Sequence, residues 1–274
     1  MINDRLTARL RTAGIYLFLI VASLLSIFPF AWMVMGMTNT STDIAQGKFG
    51  FGNALSANVT TFFTVVDGPL AFWNTAKIAL VSTFLTLLIC SVAGYGFEMF
   101  RSKIRERIFN ALLLTMMIPA AALLIPLFIM VARAGFINTH TAVIAPSVAS
   151  AFMIFYFRQS AKAFPPELRQ AAKVDGLKEW QIFLFIFVPV MRSTYAAAFI
   201  MAFMAAWNAF LWPLVVLQSQ NQKTITLVVS SLAGVERPDY GVIMVGATLA
   251  TLPILLVFFA MQKQFVQGML GSVK

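Results

Sequence analysis

Charge, and acidic charge above all, is scarce in this chain. Only 10 Asp and Glu stand among 274 residues, against 20 Lys and Arg, and charged residues make up 11% of the whole. Soluble globular domains carry about a quarter of their residues charged, so that class is excluded. A single cysteine, Cys90, lies in an apolar run from Leu87 to Val92, which excludes a disulfide framework and a cysteine-based metal cluster. The single histidine, His140, has no carboxylate or second histidine near it in sequence. Its expected place is a loop at a membrane surface. A Gly-x-x-x-x-Gly-Lys-Ser/Thr loop is missing, so the chain cannot cradle ATP by itself. HExxH, CxxC and a Ser/His/Asp set are missing too, so no catalytic constellation is expected and no metal site.

What the chain does have is apolar length. Hydrophobic residues are 60% of it, and the mean hydropathy is +0.84. A membrane span needs about 20 apolar residues, which leaves room for six spans and their connections. These fall at about 13–36, 72–97, 108–132, 141–157, 190–217 and 240–261. Arg5, Arg9 and Arg11 precede the first run, which is too long for a signal peptide and lacks an Ala-x-Ala cleavage site. Polar stretches lie at 37–71 and 218–239, and a short basic loop carries Arg101, Lys103, Arg105 and Arg107. The expected fold class is therefore an all-α integral membrane protein of six helices.

The net charge of +10 is spread between apolar runs rather than gathered into one patch. It reads as a topology signal and not as a nucleic-acid surface. Fifteen Lys and Arg fall on the side holding both termini, the 98–107 loop, the 158–182 loop and Arg192, and five fall on the other. The positive-inside rule places the first set, and hence both termini, in the cytoplasm. An even number of spans is then required, in agreement with six.

No Asp or Glu falls inside an expected span, and Glu98 sits at the end of one. Proton-coupled carriers need such residues as relays, so the driving energy is expected from elsewhere. Pro119, Pro126, Pro146 and Pro253 fall within the third, fourth and sixth spans. Broken helices persist in a bilayer only where neighbours or a wet cavity satisfy the freed backbone groups, and in transporters they often mark the translocation path. Packing kinks are the alternative for any one proline; four across three spans favour a bundle that opens and closes.

Between the fourth and fifth spans lies a polar island, about 158–189. Pro165 and Pro166 suit a helix start, Glu167 suits the first turn, and Gly176 suits a left-handed helix end. Together they delimit a helix of about three turns, too short to stand alone. Ala171 and Ala172 give it a small-residue face, and it reads as a docking element.

This island resembles the EAA loop of ABC-importer permeases: Glu-Ala-Ala, three residues, Gly, nine residues, Ile-x-Leu-Pro. The matching residues are Gln170-Ala171-Ala172, Gly176, Ile186, Val188 and Pro189, with both spacings kept. Gln170 replaces the first Glu and Val188 replaces Leu; Glu167 lies one turn upstream of Gln170. Ala93-Gly94-Tyr95-Gly96-Phe97, Ile118-Pro119, Ile125-Pro126-Leu127, Ala206-Trp207-Asn208-Ala209-Phe210 and the ending Phe265-Val266-Gln267-Gly268, Gly271-Ser272-Val273-Lys274 are similar to the carbohydrate-uptake permeases. In character the chain is similar to the six-span permease of maltose-type importers.

The resemblance implies a type I importer transmembrane domain spanning 1–274, in a bacterial inner membrane, and half of an alternating-access path for a sugar. It implies a second, homologous permease chain, two ATPase subunits that hold ATP and Mg, and an extracytoplasmic substrate-binding protein. No cofactor is expected on this chain, and its only other partner is membrane lipid. Glu167, Gln170, Ala171, Ala172, Asp175 and Gly176 are the expected ATPase-coupling residues. For the path, Trp207 offers a face that stacks on sugar rings and Asn208 an amide that bonds hydroxyls; helix packing is the competing role for both. A secondary carrier or channel is the runner-up function, and a polytopic membrane enzyme stands third.

Overall fold

The computed structural model describes the backbone of residues 2–64 and 66–270, and side chains of 10–64 and 66–263. Every regular element in it is helical. In chain order these are α1 (Ile2–Gly36), α2 (Ser41–Ala45), α3 (Leu55–Thr64), α4 (Gly68–Met99), α5 (Lys103–Thr115), α6 (Ala120–Arg133), α7 (His140–Ser147), α8 (Ala151–Ala161), α9 (Pro166–Val174), α10 (Glu179–Ile182), α11 (Val188–Val190), α12 (Arg192–Trp207), α13 (Leu211–Val216), α14 (Ile225–Ala233) and α15 (Tyr240–Leu270), with a π turn at Phe183–Phe187 and a 3₁₀ turn at Gln220–Gln222. The expected all-helical class holds.

Five stretches among the described residues are long and apolar enough to cross a membrane: Leu10–Gly36, Gly68–Met99, His140–Ala161, Arg192–Val216 and Tyr240–Lys263. A sixth is reached if α5 and α6, a pair bent by 103° at the break between them, count as one span. One span, about 108–132 and interrupted by Pro119 and Pro126, was expected there. Pro119 explains the bend: proline has no N–H to continue the helix and drives the residue before it out of the α region.

The chain divides into two compact units. One takes the chain to Gly68 together with Val229–Thr251. In it the stretch after α1, expected only to be polar, is folded around two amides. Asn39 Nδ2 donates to the Met35 and Gly50 carbonyls at 2.9 and 2.7 Å, and Asn58 Nδ2 to those of Met37 and Asn39 at 2.9 Å each. Ser41 Oγ donates to Asp239 Oδ1 at 2.8 Å.

The second unit, Pro69–Val228 and the chain from Leu252, contains the island and both expected path residues. The polar 218–224 stretch is pinned from three sides. Asn138, with φ of 61°, accepts at Oδ1 from the Gln218 and Ser219 amides. Asn74 Nδ2 donates to the Asn221 and Lys223 carbonyls, and His140 Nε2 lies 3.2 Å from the Gln222 carbonyl. The remainder of 218–239 is not simply a polar loop. Ile225, Leu227 and Val228 are buried at the start of α14.

Small residues of α4 set the packing of this unit. Ser82, Thr86, Cys90 and Gly94 recur every fourth residue, so they share one helix face. Thr86 Oγ1 donates to the Ser147 carbonyl at 3.3 Å, and Cys90 Sγ lies 3.4 Å from that of Val148. These carbonyls flank the break between α7 and α8, where the helical ladder is interrupted. Pro146 lacks the N–H that would bond the Ala142 carbonyl, and Trp212 Nε1 donates to that carbonyl instead, at 2.8 Å. The broken fourth span persists because neighbouring side chains satisfy its freed oxygens.

Candidate functional site

The island forms a sealed helical hook. Pro165 caps α9 in extended conformation, and Glu167 lies in its first turn. At the far end the Gly176 amide donates to the Lys173 carbonyl at 3.1 Å and the Leu177 amide to that of Ala172 at 3.0 Å. These are the paired bonds of a Schellman cap, which demands a left-handed residue; Gly176 supplies it with φ of 82°. The chain then turns back through α10 into the π turn. Pro189 accounts for that turn, since it cannot donate to Phe185 one turn earlier, and the Val188 amide reaches Phe183 instead.

Of the six residues expected here, Glu167, Gln170, Ala171, Asp175 and Gly176 are exposed. Ala172 is not: only 3% of it is accessible, and it packs inward against its own chain. The two alanines therefore divide between opposite faces. Val174, 88% exposed, joins the outer face and was not among the expected residues. Its spacing from Glu167, Gln170 and Ala171 was the signal, since positions three and four apart line one side of a helix.

The inner face is held by one carboxylate. Arg169 donates to Glu179 from both Nη2, at 2.5 Å to Oε1, and Nε, at 3.3 Å to Oε2. Lys173 Nζ lies 2.9 Å from Oε1, and the Tyr95 hydroxyl of α4 donates to Oε2 at 3.0 Å. Burial pushes the Glu179 carboxyl up, but the hydrogen bonds from Arg169, Lys173 and Tyr95 outweigh it and hold the group below its ordinary value. A lowered folded-state pKa stabilises fully above the unfolded value, so this support is present at neutral pH and is lost as pH falls through the folded value. Tyr95 is buried edge-on against Phe183 and Phe187, with centroids 5.2 and 4.8 Å away. The Arg169 guanidinium lies 5.2 Å over the Phe100 ring.

A second ionic group joins the nearby helix ends. Arg158 of α8, 5% exposed, bonds Glu106 of α5 at 2.6 Å, lies 3.6 Å from Glu98 at the end of α4, and sits 3.9 Å over the Phe109 ring. Arg101 pairs with the same Glu98.

The two expected path residues separate. Trp207 is buried, T-shaped against Phe72 at 5.4 Å and tilted on Phe203 at 5.4 Å. Asn208 is exposed where α12 ends, and its Nδ2 donates to the Met204 carbonyl of its own helix at 3.0 Å. Neither lines the cavity of about 420 Å³ in this unit, which is bounded by Ser82 and Thr86 of α4, Ser147, Ser150, the alanine face of α12 and Trp212. The four-residue spacing from Ser82 to Gly94 was the sequence signal for this wall. Trp212 gave none, because its partner Ala142 lies 70 positions away. Among the described residues no group of three or more His, Cys, Asp or Glu could hold a metal ion. The expected ending, Phe265 to Gly268 and Gly271 to Lys274, lies outside the described side chains.

Residues 87–271 match the family described as binding-protein-dependent transport system inner membrane component. The chain is 66% identical over 259 residues to the lactose transport system permease protein LacG of Rhizobium radiobacter, covering 94% of this chain and 95% of that one. It is 33% identical over 266 residues to the arabinooligosaccharides transport system permease protein AraQ of Bacillus subtilis, covering 94% of each. Its fold is similar to that of a chain in the crystal structure of a bacterial ABC transporter involved in the import of the acidic polysaccharide alginate. The TM-score is 0.84 at 16% identity, over 94% of this chain and 97% of that one; at that identity the likeness is one of fold alone.

Proposed function

The chain belongs to the binding-protein-dependent transport system inner membrane components, and on that premise we propose that it is one permease subunit of an ATP-driven importer for a lactose-type disaccharide. The observation that carries the reading is the identity of 66% along 94% of the chain to a lactose permease protein. The hook supports it from the side of mechanism. A short capped helix with an exposed outer face, Glu167, Gln170, Ala171, Val174 and Asp175, suits docking to a separate motor.

In this reading the whole chain works as one transmembrane domain in a bacterial inner membrane. It forms half of the path with a second, homologous permease chain. Two ATPase subunits hold ATP and Mg²⁺, one of them docking on this hook, and a substrate-binding protein delivers sugar from outside. This chain contributes no catalytic group; it converts motion of the motor into opening and closing of the path. Cytoplasmic termini agree with the excess of fifteen basic residues over five.

The test is transport by the assembled complex. Chains that co-purify with this one are reconstituted in phospholipid vesicles with the binding protein and radiolabelled lactose outside. Lactose is expected to accumulate only when ATP and Mg²⁺ are supplied on the motor side. Accumulation without ATP overturns the reading in favour of a secondary carrier. Orientation has its own test: cysteines at Asn53 and Gln220 are expected to react with membrane-impermeant thiol reagents in intact cells. A cysteine at the 88% exposed Val174 is expected to react only after the membrane is opened, and labelling of position 174 in intact cells reverses the topology.

A further inference from the structure

A docking helix transmits force only if its own mounting is stiff. The helix α9 has nine residues, too few to hold its shape by backbone bonds alone. Its first turn has no side-chain cap. The mounting therefore comes from its inner face, where Arg169, Ala172 and Lys173 sit three and four positions apart. Ala172 gives close packing without any directional bond. Among the described residues the side-chain hydrogen bonds and ion pairs of this face converge on Glu179, which lies beyond the Gly176 reversal and so reaches α9 from the side.

Glu179 does not end the chain of contacts. It also accepts from the Tyr95 hydroxyl. Tyr95 belongs to α4, a single helix of 32 residues. Thirteen residues before Tyr95 on that rod is Ser82, which bounds the cavity; at 1.5 Å per residue the separation is about 20 Å. One carboxylate thus joins α9, through its inner face, to a rigid element that forms a cavity wall. Rigid elements and bonded networks are what carries coupling over such distances.

We propose that Glu179 is a positioning residue of the transport cycle: by accepting together from Tyr95, Arg169 and Lys173, it fixes α9 against α4, so that movement of the docked motor becomes movement of α4. The inference rests on α9 being the docking element. Ionised acceptors make short, strong bonds to Arg and Lys, and one carboxylate with four donor atoms around it leaves α9 little freedom to rotate. Without that carboxylate, α9 rolls on the small Ala172 surface and part of the motor stroke is dissipated.

The experiment uses the full importer in vesicles and reads lactose imported per ATP hydrolysed, per assembled complex. Glu179→Ala is expected to lower that ratio about five-fold, and Tyr95→Phe about two-fold. The exchange Arg169→Glu with Glu179→Arg restores an ion pair in reverse and is expected to recover at least half of the loss. A residue that served folding alone would lower yield and melting temperature while leaving the ratio of surviving complexes at the parent value, and that result overturns the inference. Ala171→Asp, on the outer face, separates docking from positioning. If it leaves motor binding and uptake intact, α9 is not the docking element and both readings fall. If it uncouples the complex while Glu179→Ala keeps the parent ratio, the positioning role alone falls.

Discussion

Replacing Gly94 by leucine is expected to prevent this chain from folding, whereas alanine at Gly96 is expected to be tolerated. A Cβ built at Gly94 lies 2.6 Å from Phe157 Cβ, 2.8 Å from the Arg158 nitrogen and 3.0 Å from the Phe157 carbonyl carbon. These are backbone or near-backbone atoms of α8 and cannot swing aside. Relief requires α4 and α8 to separate, and their separation breaks other contacts. Phe157, only 1% exposed, packs with Cys90 and Ala198 in one core cluster, and Arg158 holds Glu98 and Glu106. Overpacking by a methyl group costs about 1–3 kcal/mol, so Gly94→Ala is expected to lower the melting temperature of detergent-purified protein. Leucine adds three more carbons to the same crossing and is expected to leave no monodisperse protein. At Gly96 nothing lies within 4 Å of the built Cβ, and alanine there gains up to about 1 kcal/mol of helix propensity. A Gly94→Leu protein that purified and melted like the parent would remove the close crossing of α4 and α8 from the fold.

That contrast shows what the sequence discloses and what it does not. Both glycines stand in one five-residue motif, and nothing in the motif says which of them meets another backbone. The four-residue rhythm Ser82, Thr86, Cys90, Gly94 does say it, because it puts the crowded glycine on the face whose other members are small and polar. The spans were legible for the same reason apolar runs always are in a bilayer. The bend of the third was half legible: Pro119 marks where the helix stops but does not give the 103° through which the chain turns there. Compensation for Pro146 could not be read at all, since a proline announces a freed carbonyl but not the side chain, here Trp212, that fills it. The hook was legible in its ends, Pro165 and Gly176, and in its period. Which face pointed inward was not, because that depends on where Glu179 returns after the reversal.

The same limit makes the two alanines of the hook the sharpest test of its orientation. Ala172→Asp is expected to open the hook itself. The site is 3% exposed, and the cations beside it, Arg169 and Lys173, are already bonded to Glu179. A second carboxylate either stays unpaired, at a cost of several kcal/mol, or draws those cations away and strands the first. A loss of about 3 kcal/mol in local stability raises the opened population on the order of a hundred-fold. Protease attack on a transiently opened segment follows that population, so cleavage by trypsin after Lys162, Arg169 and Lys173 in membranes opened to the protease is expected to quicken correspondingly. Ala171→Asp places the same charge one residue earlier on the exposed face and is expected to leave cleavage at the parent rate while still disturbing the docked motor. Equal cleavage of the two variants would mean that Ala172 is not held inward, and the hook would then present both alanines to its partner, as the spacing Gln170-Ala171-Ala172 alone suggested. Separate rates would instead assign folding to the inner alanine and docking to the outer one, within a single helical turn.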